Sequence, residues 1–395
     1  MIPQGHGALD RDQSGSSPSA AWFPRPWVLN DEVSAPVAGE HAAIGSELDG
    51  FRRAQFGMTD VVRRIRGDAL AAWGLGPSEL PYRVITAGPY WRLRDYGGRP
   101  SSHCLLIVAA PIKRPYIWDL APSISAIGRC LREDLHVCLL EWLPASADTR
   151  NNGLDEYARA ISDCIAKISD DGPTTKPVLI GHSLGGTIAA ICGALEPERI
   201  GGLVLLGAPL CFQPQTSRFR DALVSLVPQG LSDTAPFPGS LLSYMSALAS
   251  PSTFVWERLL DFALSAADPH AMHIHARIER WALEEVALPA KLVREIVDEL
   301  YRENRFCRGT LKLRGALVGP STVSVPTLAV VNTADEVAPP ASIEPFLAAM
   351  PTRDVQIIRY PGEVGVCLQH LGILVGRKAH EQVWPQIASW LNSLD

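Results

Sequence analysis

The stretch Gly181-His182-Ser183-Leu184-Gly185, followed by Gly186, decides the fold class of this chain. An apolar run at 177–180 precedes it, and a run of small, helix-compatible residues at 187–194 follows it. This strand, sharp turn and helix predict a nucleophile elbow, which holds a serine at the end of a strand. Glycines two residues before and after Ser183 let the backbone turn tightly without a Cβ clash. Ser183 is therefore the candidate nucleophile, with an ordinary turn serine as the alternative.

Short apolar strands and amphipathic helices alternate on both sides of this turn. Antiparallel strands are predicted at 82–85 and 90–93, and apolar strands at 104–109, 137–140, 177–180, 203–206, 327–331 and 355–358. Helical spacing is visible at 124–131, 154–168 and 383–391, with Pro385 in the first turn of the last helix. Fully apolar strands separated by helices predict a mostly parallel sheet that helices cover on both faces.

The domain organisation follows from where this alternation starts and stops. Residues 1–36 are rich in Gly, Ser, Pro and Asp without periodicity, which predicts a disordered N-terminal tail. A helix is expected within 41–75, and the first part of the α/β core extends over 37–210. Residues 211–319 contain a largely helical pattern, which predicts a helical cap over the site. The core resumes at 320–395.

The remaining members of a catalytic triad are expected after the nucleophile, the acid before the histidine. Asp335 follows the strand predicted to end at Val331, in a loop closed by prolines, and neighbouring Glu336 is its competitor. His370 lies in the loop between the last strand and the last helix, whereas His380 is expected to cap that helix or face solvent. The order Ser183, Asp335, His370 predicts an α/β-hydrolase fold. Solvated loop carboxylates and a core or surface histidine are the alternatives.

The predicted chemistry needs all three side chains. Ser183 becomes a nucleophile when His370 accepts its proton, and Asp335 holds the imidazole in the required tautomer. Activity should therefore fall at acidic pH, as the imidazole becomes protonated. The backbone N–H groups of Leu184 and Ile112 are the candidate oxyanion hole.

Other chemically active residues give weaker signals. His270, His273 and His275 suggest a metal site, but no cysteine or carboxylate completes a ligand set in the sequence, so surface or cap histidines are expected. Cys192 is expected in the core, and His182 is expected to pack beside the site. No metal and no cofactor are predicted.

Composition excludes several classes of partner. The net charge is −6 and the charged fraction is 20%, so the chain has no basic bias toward nucleic acid or an anionic membrane. No apolar run approaches the roughly 18 residues of a membrane span, and no signal-peptide pattern begins the chain. The eight cysteines lack paired spacing and lie mostly in apolar runs, so reduced thiols and a cytoplasmic location are expected.

Several motifs together resemble the poly(3-hydroxyalkanoate) synthase branch of the α/β-hydrolases. They extend from about Tyr82 to the C-terminus and comprise 111–120, 153–157, 184–187, 301–305 with Gly309, 335–340, 370–372, 376–379 and 384–385. The resemblance implies an acyl or polyester substrate, a lid-like cap and homodimer formation.

One position departs from that family. The synthases carry cysteine in the elbow, G-x-C-x-G, where this chain has Ser183. A thiolate attacks thioesters well and leaves well, which suits repeated chain transfer, whereas a serine ester is nearer to hydrolase chemistry. The main hypothesis is a serine hydrolase of acyl esters or thioesters. The alternatives are a synthase-like acyltransferase and a non-catalytic ligand-binding protein of the same fold.

Overall fold

A mixed eight-stranded sheet is the centre of the computed structural model, which describes residues 55–99, 104–171, 176–230 and 236–394. These residues all belong to the compact unit Asp49–Asp395. The predicted tail at 1–36 lies outside the described residues. The described strands are β1 (Arg83–Gly88), β2 (Trp91–Asp95), β3 (Cys104–Val108), β4 (His136–Trp142), β5 (Val178–His182), β6 (Gly202–Leu206), β7 (Leu311–Leu313), β8 (Ala316–Val318), β9 (Thr327–Asn332) and β10 (Val355–Tyr360).

The strand order in the main sheet is β1-β2-β4-β3-β5-β6-β9-β10. The β1–β2 and β2–β4 pairs are antiparallel, and every other neighbouring pair in this sheet is parallel. Parallel strands place their carboxyl ends at the same edge of a sheet, so the loops after β3, β5, β9 and β10 meet there. The mostly parallel sheet predicted from the sequence is confirmed.

Helices cover both faces of the sheet. The described helices are α1 (described over residues 55–70), α2 (Ala126–Arg132), α3 (Leu154–Asp171), α4 (Leu184–Leu195), α5 (Arg218–Leu226), α6 (Gly239–Ala249), α7 (Glu257–Ser265), α8 (Pro269–Ala282), α9 (Ala290–Glu295), α10 (Glu344–Ala348), α11 (Gly372–Val375) and α12 (Trp384–Leu391). One apolar cluster contains α3 and α4 side chains, and a second contains α2, α11 and α12 side chains on the opposite face. Because both faces are covered, β3, β5, β6 and β9 are buried along their whole length. Pro385 lies in the first turn of α12, as predicted.

The segment between β6 and β9 is mostly helical but also contains strands. It holds α5 to α9, and then the hairpin formed by β7 and β8. Both turn residues of this hairpin, Arg314 and Gly315, have positive φ, as in a type I′ hairpin turn. Leu311, Leu313 and Val318 pack into the same apolar cluster as α3 and α4. The cap boundaries 211–319 stay a prediction.

The expectation of eight reduced cysteines is wrong for one pair. Cys211 and Cys307 form a disulfide, with their Cα atoms 5.0 Å apart and a sequence separation of 96. Only the packing of the segment after α9 against the loop after β6 brings these residues together, so their spacing carried no signal. The other six cysteines are free and buried.

None of the described helices combines the length and the apolar character needed to cross a membrane.

Candidate active site

Ser183 occupies a strained turn between β5 and α4. Its φ and ψ are 55° and −133°, a conformation that is rare for a residue with a side chain. The flanking glycines permit the turn, because a Cβ on Gly181 would lie 2.5 Å from the Gly186 nitrogen and one on Gly185 would lie 2.3 Å from the Val108 carbonyl oxygen. The backbone N–H of Ser183 donates to the Leu206 carbonyl at 3.0 Å. The turn thus places the hydroxyl at the carboxyl edge of the sheet and the N-terminus of α4.

The structure brings the three predicted triad side chains into one hydrogen-bonded chain. His370 Nε2 lies 2.7 Å from Ser183 Oγ, and His370 Nδ1 lies 2.6 Å from Asp335 Oδ2. Asp335 is buried, while the His370 side chain is 12% exposed and lies between the acid and the serine. Both ring nitrogens of His370 therefore have the partners that a general base between a serine and a carboxylate requires.

Asp335 is held as a carboxylate by its surroundings. Burial alone would raise its pKa, but the charge and hydrogen bond of His370 and two backbone N–H groups together hold the pKa below its usual value. The N–H groups of Val337 and Ala338 donate to Oδ1 at 2.8 Å and 3.1 Å. Oδ2 is thereby left for the imidazole.

His182 supports the imidazole ring of His370 from the side. The two ring centroids are 4.7 Å apart, and His182 Nε2 lies 2.7 Å from the His370 carbonyl oxygen. A carbonyl oxygen can only accept, so this nitrogen carries the proton. Burial, together with the nearby charge of His370, lowers the pKa of His182 to about 3. His182 is thus a neutral packing partner, and it lies beside the site as predicted.

Asn332 is a positioning residue that the sequence analysis missed. Its Nδ2 donates to the Gln369 carbonyl at 2.6 Å, and its Oδ1 accepts from the Ala334 N–H at 2.9 Å. This buried amide therefore ties the acid loop to the histidine loop. Its place as the last residue of β9, directly before the acid loop, was the available signal.

Glu336 points away from the imidazole. Its carboxylate accepts a hydrogen bond of 2.8 Å from the hydroxyl of Thr253, a buried residue in the turn before α7. The exposed Glu336 thus links the acid loop to the helical segment, and Asp335 is the carboxylate that contacts His370.

Asp261 of α7 holds the loop that leads to His370. Its two carboxylate oxygens accept from the N–H groups of Gly365 at 2.7 Å and Cys367 at 2.9 Å. Cys367 has a positive φ of 65°, so these bonds stabilise an uncommon backbone conformation three residues before the imidazole. No sequence signal marked Asp261, because the contact crosses 106 residues.

The two predicted oxyanion residues flank the elbow. Leu184 is the first residue of α4, directly after Ser183. Ile112 lies in the loop after β3, and the start of this loop contacts Gly185. The Ile112 carbonyl accepts a 3.0 Å hydrogen bond from the Val286 N–H. The N–H groups of Leu184 and Ile112 stay the predicted oxyanion donors.

The three histidines of α8 differ in environment. His275 is buried, with Nδ1 3.1 Å from Asp261, and its ring adjoins Glu279 and Cys367. The expectation that no cysteine or carboxylate completes a set is therefore wrong for His275. The reason is that Cys367 approaches α8 from a different loop. His273 accepts a hydrogen bond of 2.8 Å from a neighbouring arginine on the exposed side of α8, and His270 is exposed.

His380 is also not where the sequence placed it. It is buried, and its Nε2 lies 2.8 Å from the carbonyl oxygen of Leu374 in α11, so it neither caps the last helix, α12, nor faces solvent. Cys192 is buried in α4, as expected.

Comparison with known proteins shows which family and which relatives this chain is similar to. A family model described as "Protein of unknown function (DUF3141)" matches residues 123–395. The poly(3-hydroxyalkanoate) polymerase subunit PhaC of Haloferax mediterranei is 27% identical over 80% of this chain and 64% of its own length. The PhaC subunit of Thiocystis violacea is 27% identical over 81% of this chain and 89% of its own length. The chain thus spans less than two thirds of the length of the Haloferax mediterranei relative.

A solved structure shows the same fold. A hydrolase from Pseudomonas aeruginosa PA01 superposes with a TM-score of 0.51 at 12% identity, covering 80% of this chain and all of the other. The fold is the α/β-hydrolase fold.

Proposed function

The chain belongs to the DUF3141 family of proteins of unknown function, and from its site we propose that it is a serine hydrolase of acyl esters or thioesters. One observation carries the proposal. The Ser183 hydroxyl, the His370 imidazole and the Asp335 carboxylate form a continuous chain of hydrogen bonds of 2.7 Å and 2.6 Å. A serine on a strained turn, a histidine bonded to it and a buried acid behind the histidine are the parts of an acyl-transfer site.

In the first half-reaction, Ser183 Oγ attacks the acyl carbonyl carbon while its proton passes to His370 Nε2. The Asp335 carboxylate stabilises the imidazolium that forms, because its Oδ2 faces the protonated Nδ1. The tetrahedral oxyanion is stabilised by the N–H of Leu184, at the positive end of α4, and by the N–H of Ile112. His370 returns the proton to the leaving alcohol or thiol as the carbon–oxygen or carbon–sulfur bond breaks.

In the second half-reaction, water takes the place of the leaving group. His370 removes a proton from water, the resulting oxygen nucleophile attacks the acyl-enzyme ester, and Ser183 leaves with the proton from Nε2. The products are the free acid and the regenerated serine. No cofactor is needed for any of these steps.

The relatives indicate the substrate class. Their name assigns them to poly(3-hydroxyalkanoate) polymerisation, so hydroxyacyl esters, hydroxyacyl-CoA and short polyester chains are the proposed substrates. The cap over residues 211–319, homodimer formation and a cytoplasmic location belong to the same proposal.

A fluorophosphonate probe and a panel of p-nitrophenyl acyl esters test the proposal directly. The probe should label wild-type protein at Ser183, and the esters should turn over. Ser183→Ala should abolish both signals while keeping the circular dichroism spectrum of the wild type. Heat-denatured wild type controls for non-specific labelling. Absence of labelling in the folded wild type would overturn the proposal. Ligand binding that survives in Ser183→Ala, without turnover by wild type, would support a non-catalytic binding protein instead.

Acyl transfer is the second candidate, and the PhaC relatives favour it. The two reactions use the same three side chains and differ in whether water or a substrate hydroxyl attacks the acyl-enzyme. Incubation with 3-hydroxybutyryl-CoA and separation of the products distinguishes them. Exclusive release of 3-hydroxybutyrate supports hydrolysis, and accumulation of oligomers supports transfer.

A further inference from the structure

A group of four chemically active side chains lies at the end of the sheet opposite the candidate active site. Strand β4 pairs with β2 on one side and β3 on the other. In these pairings Asp95 lies opposite Cys138, and Cys104 lies opposite His136. Paired residues share a face of the sheet, and so do residues two apart on one strand. All four side chains therefore project from the same face.

The distances between the donor atoms match those around a tetrahedral metal ion. Cys104 Sγ lies 3.9 Å from Cys138 Sγ, and Cys138 Sγ lies 4.0 Å from His136 Nε2. Zinc–sulfur bonds of about 2.3 Å at the tetrahedral angle place two sulfurs about 3.8 Å apart, and a sulfur and a nitrogen about 3.6 Å apart. The three ligand atoms all lie within 4.8 Å of one another. Two of the three separations are thus within about 0.4 Å of the tetrahedral values.

The chemistry of the group favours zinc. Two thiolates and an imidazole are ligands that zinc prefers over the oxygen ligands of magnesium or calcium. Cys104 and Cys138 are fully buried, and the His136 side chain is 23% exposed, which gives an entry path from solvent. Asp95 Oδ1 lies 2.8 Å from His136 Nε2, the proposed ligand atom, so zinc would replace this hydrogen bond and keep the carboxylate charge beside it. The backbone N–H of Gly97 also donates to Oδ1 at 2.8 Å, which holds this carboxylate in place.

The group formed by His275, Glu279 and Cys367 is a poorer candidate for a zinc site. There Glu279 already accepts hydrogen bonds of 2.6 Å on both carboxylate oxygens from the guanidinium of Arg258. A cation thus already neutralises that site, and Cys367 donates to Glu279 at 3.2 Å.

We propose that Cys104, His136 and Cys138 bind one zinc ion, with the fourth position open to Asp95 or to water. The site is structural. Cys104 begins β3, whereas the loop after Val108, the last residue of β3, reaches the elbow, so the ion lies a strand length from the serine. The ion would link β3 to β4, and its positive charge would attract the Asp95 carboxylate at the end of β2. Binding displaces the two thiol protons, so affinity should rise with pH.

Metal analysis of the purified full chain tests the proposal. Wild type, dialysed against zinc and then against metal-free buffer, should retain about one zinc per chain. Replacement by Co²⁺ should give the thiolate-to-cobalt charge-transfer absorption and the intense visible bands of a tetrahedral site. Cys138→Ser and His136→Gln should each lose the retained zinc and weaken or remove these bands. A chelator should lower the Tm of the wild type and leave that of the variants unchanged.

Two matched variants exclude other thiols. Cys130→Ser removes a buried free cysteine of α2, and Cys367→Ser removes the thiol of the group around His275. Both should retain the zinc and the cobalt spectrum. Wild type without retained zinc or a thiolate–cobalt band overturns the proposal, even if every variant fails to fold. Loss of zinc in Cys367→Ser with retention in Cys138→Ser overturns it as well. Zinc analysis does not depend on ester turnover, so its outcome is separate from that of the proposed hydrolase function.

Discussion

Asp335→Asn tests the role of the acid most sharply, because the surroundings fix how the new amide must point. In the wild type, Oδ1 accepts from two backbone N–H groups, those of Val337 and Ala338, and Oδ2 faces His370 Nδ1. The asparagine oxygen must take the Oδ1 position, because an amide NH₂ there would face two donors and lose both hydrogen bonds, each worth about 1 kcal/mol. The NH₂ group is then directed at His370 Nδ1.

The consequence is the wrong tautomer of the base. An NH₂ group can only donate, so Nδ1 must become an acceptor and the ring proton moves to Nε2. Nε2 lies 2.7 Å from Ser183 Oγ and can then no longer accept the serine proton. Loss of kcat by about 10⁴ is expected, as for the corresponding change in serine proteases, which equals about 5 kcal/mol of transition-state stabilisation.

The assay is kcat/KM on a p-nitrophenyl ester that the wild type hydrolyses, with circular dichroism to establish that each variant folds. Glu336→Gln is the matched control, because it makes the same chemical change one residue along the chain. Its amide oxygen can still accept from Thr253, so a loss of at most a few-fold is expected. If folded Asp335→Asn keeps more than about a tenth of the wild-type activity, the tautomer argument is refuted. If Glu336→Gln is the more damaging change, the acid assignment is wrong.

Three further changes probe the rest of the site and the fold. Similar losses of turnover are expected in Ser183→Ala, in His370→Ala and in the double variant, because the effects of substituting residues that act as a unit are not additive. A loss in the double variant equal to the product of the two single losses would argue against the triad. The folded pKa of His182 is about 3, below the unfolded value of 6.5, so the unfolded state binds more protons between these values and stability falls as the pH is lowered. In urea unfolding, lowering the pH from 7 to 5 should reduce the free energy of unfolding of His182→Gln by about 2 kcal/mol less than that of the wild type. Equal reductions would show that the wild-type ring is not buried and neutral. Replacing Cys211 and Cys307 by serine should lower the free energy of unfolding by about 2–5 kcal/mol, because the disulfide joins residues with a sequence separation of 96 and so closes a long loop. A wild type whose stability dithiothreitol leaves unchanged would contradict this.

Local sequence determined the parts of this protein that depend on backbone conformation and burial. Gly181 and Gly185 were sufficient to predict the turn at Ser183, because only glycine permits the close contacts seen there. Uniformly apolar runs were sufficient to predict buried parallel strands, because a strand covered on both faces has no polar side. Candidate acid and base residues were found because they follow strands whose carboxyl ends meet at one edge of the sheet.

Only the tertiary structure decided which distant residues touch. The Cys211–Cys307 disulfide, the hydrogen bonds of Asp261 to the loop before His370 and the group of Cys104, His136 and Cys138 all join separate elements. Such contacts depend on strand order and register. A periodic pattern predicts that a strand forms, but it does not specify that β4 pairs with β2 on one side and β3 on the other. The sequence favoured Asp335 over Glu336 as the acid, but it could not show the contact itself. Successive loop residues point in different directions, and only the packed loop determines which carboxylate reaches the imidazole.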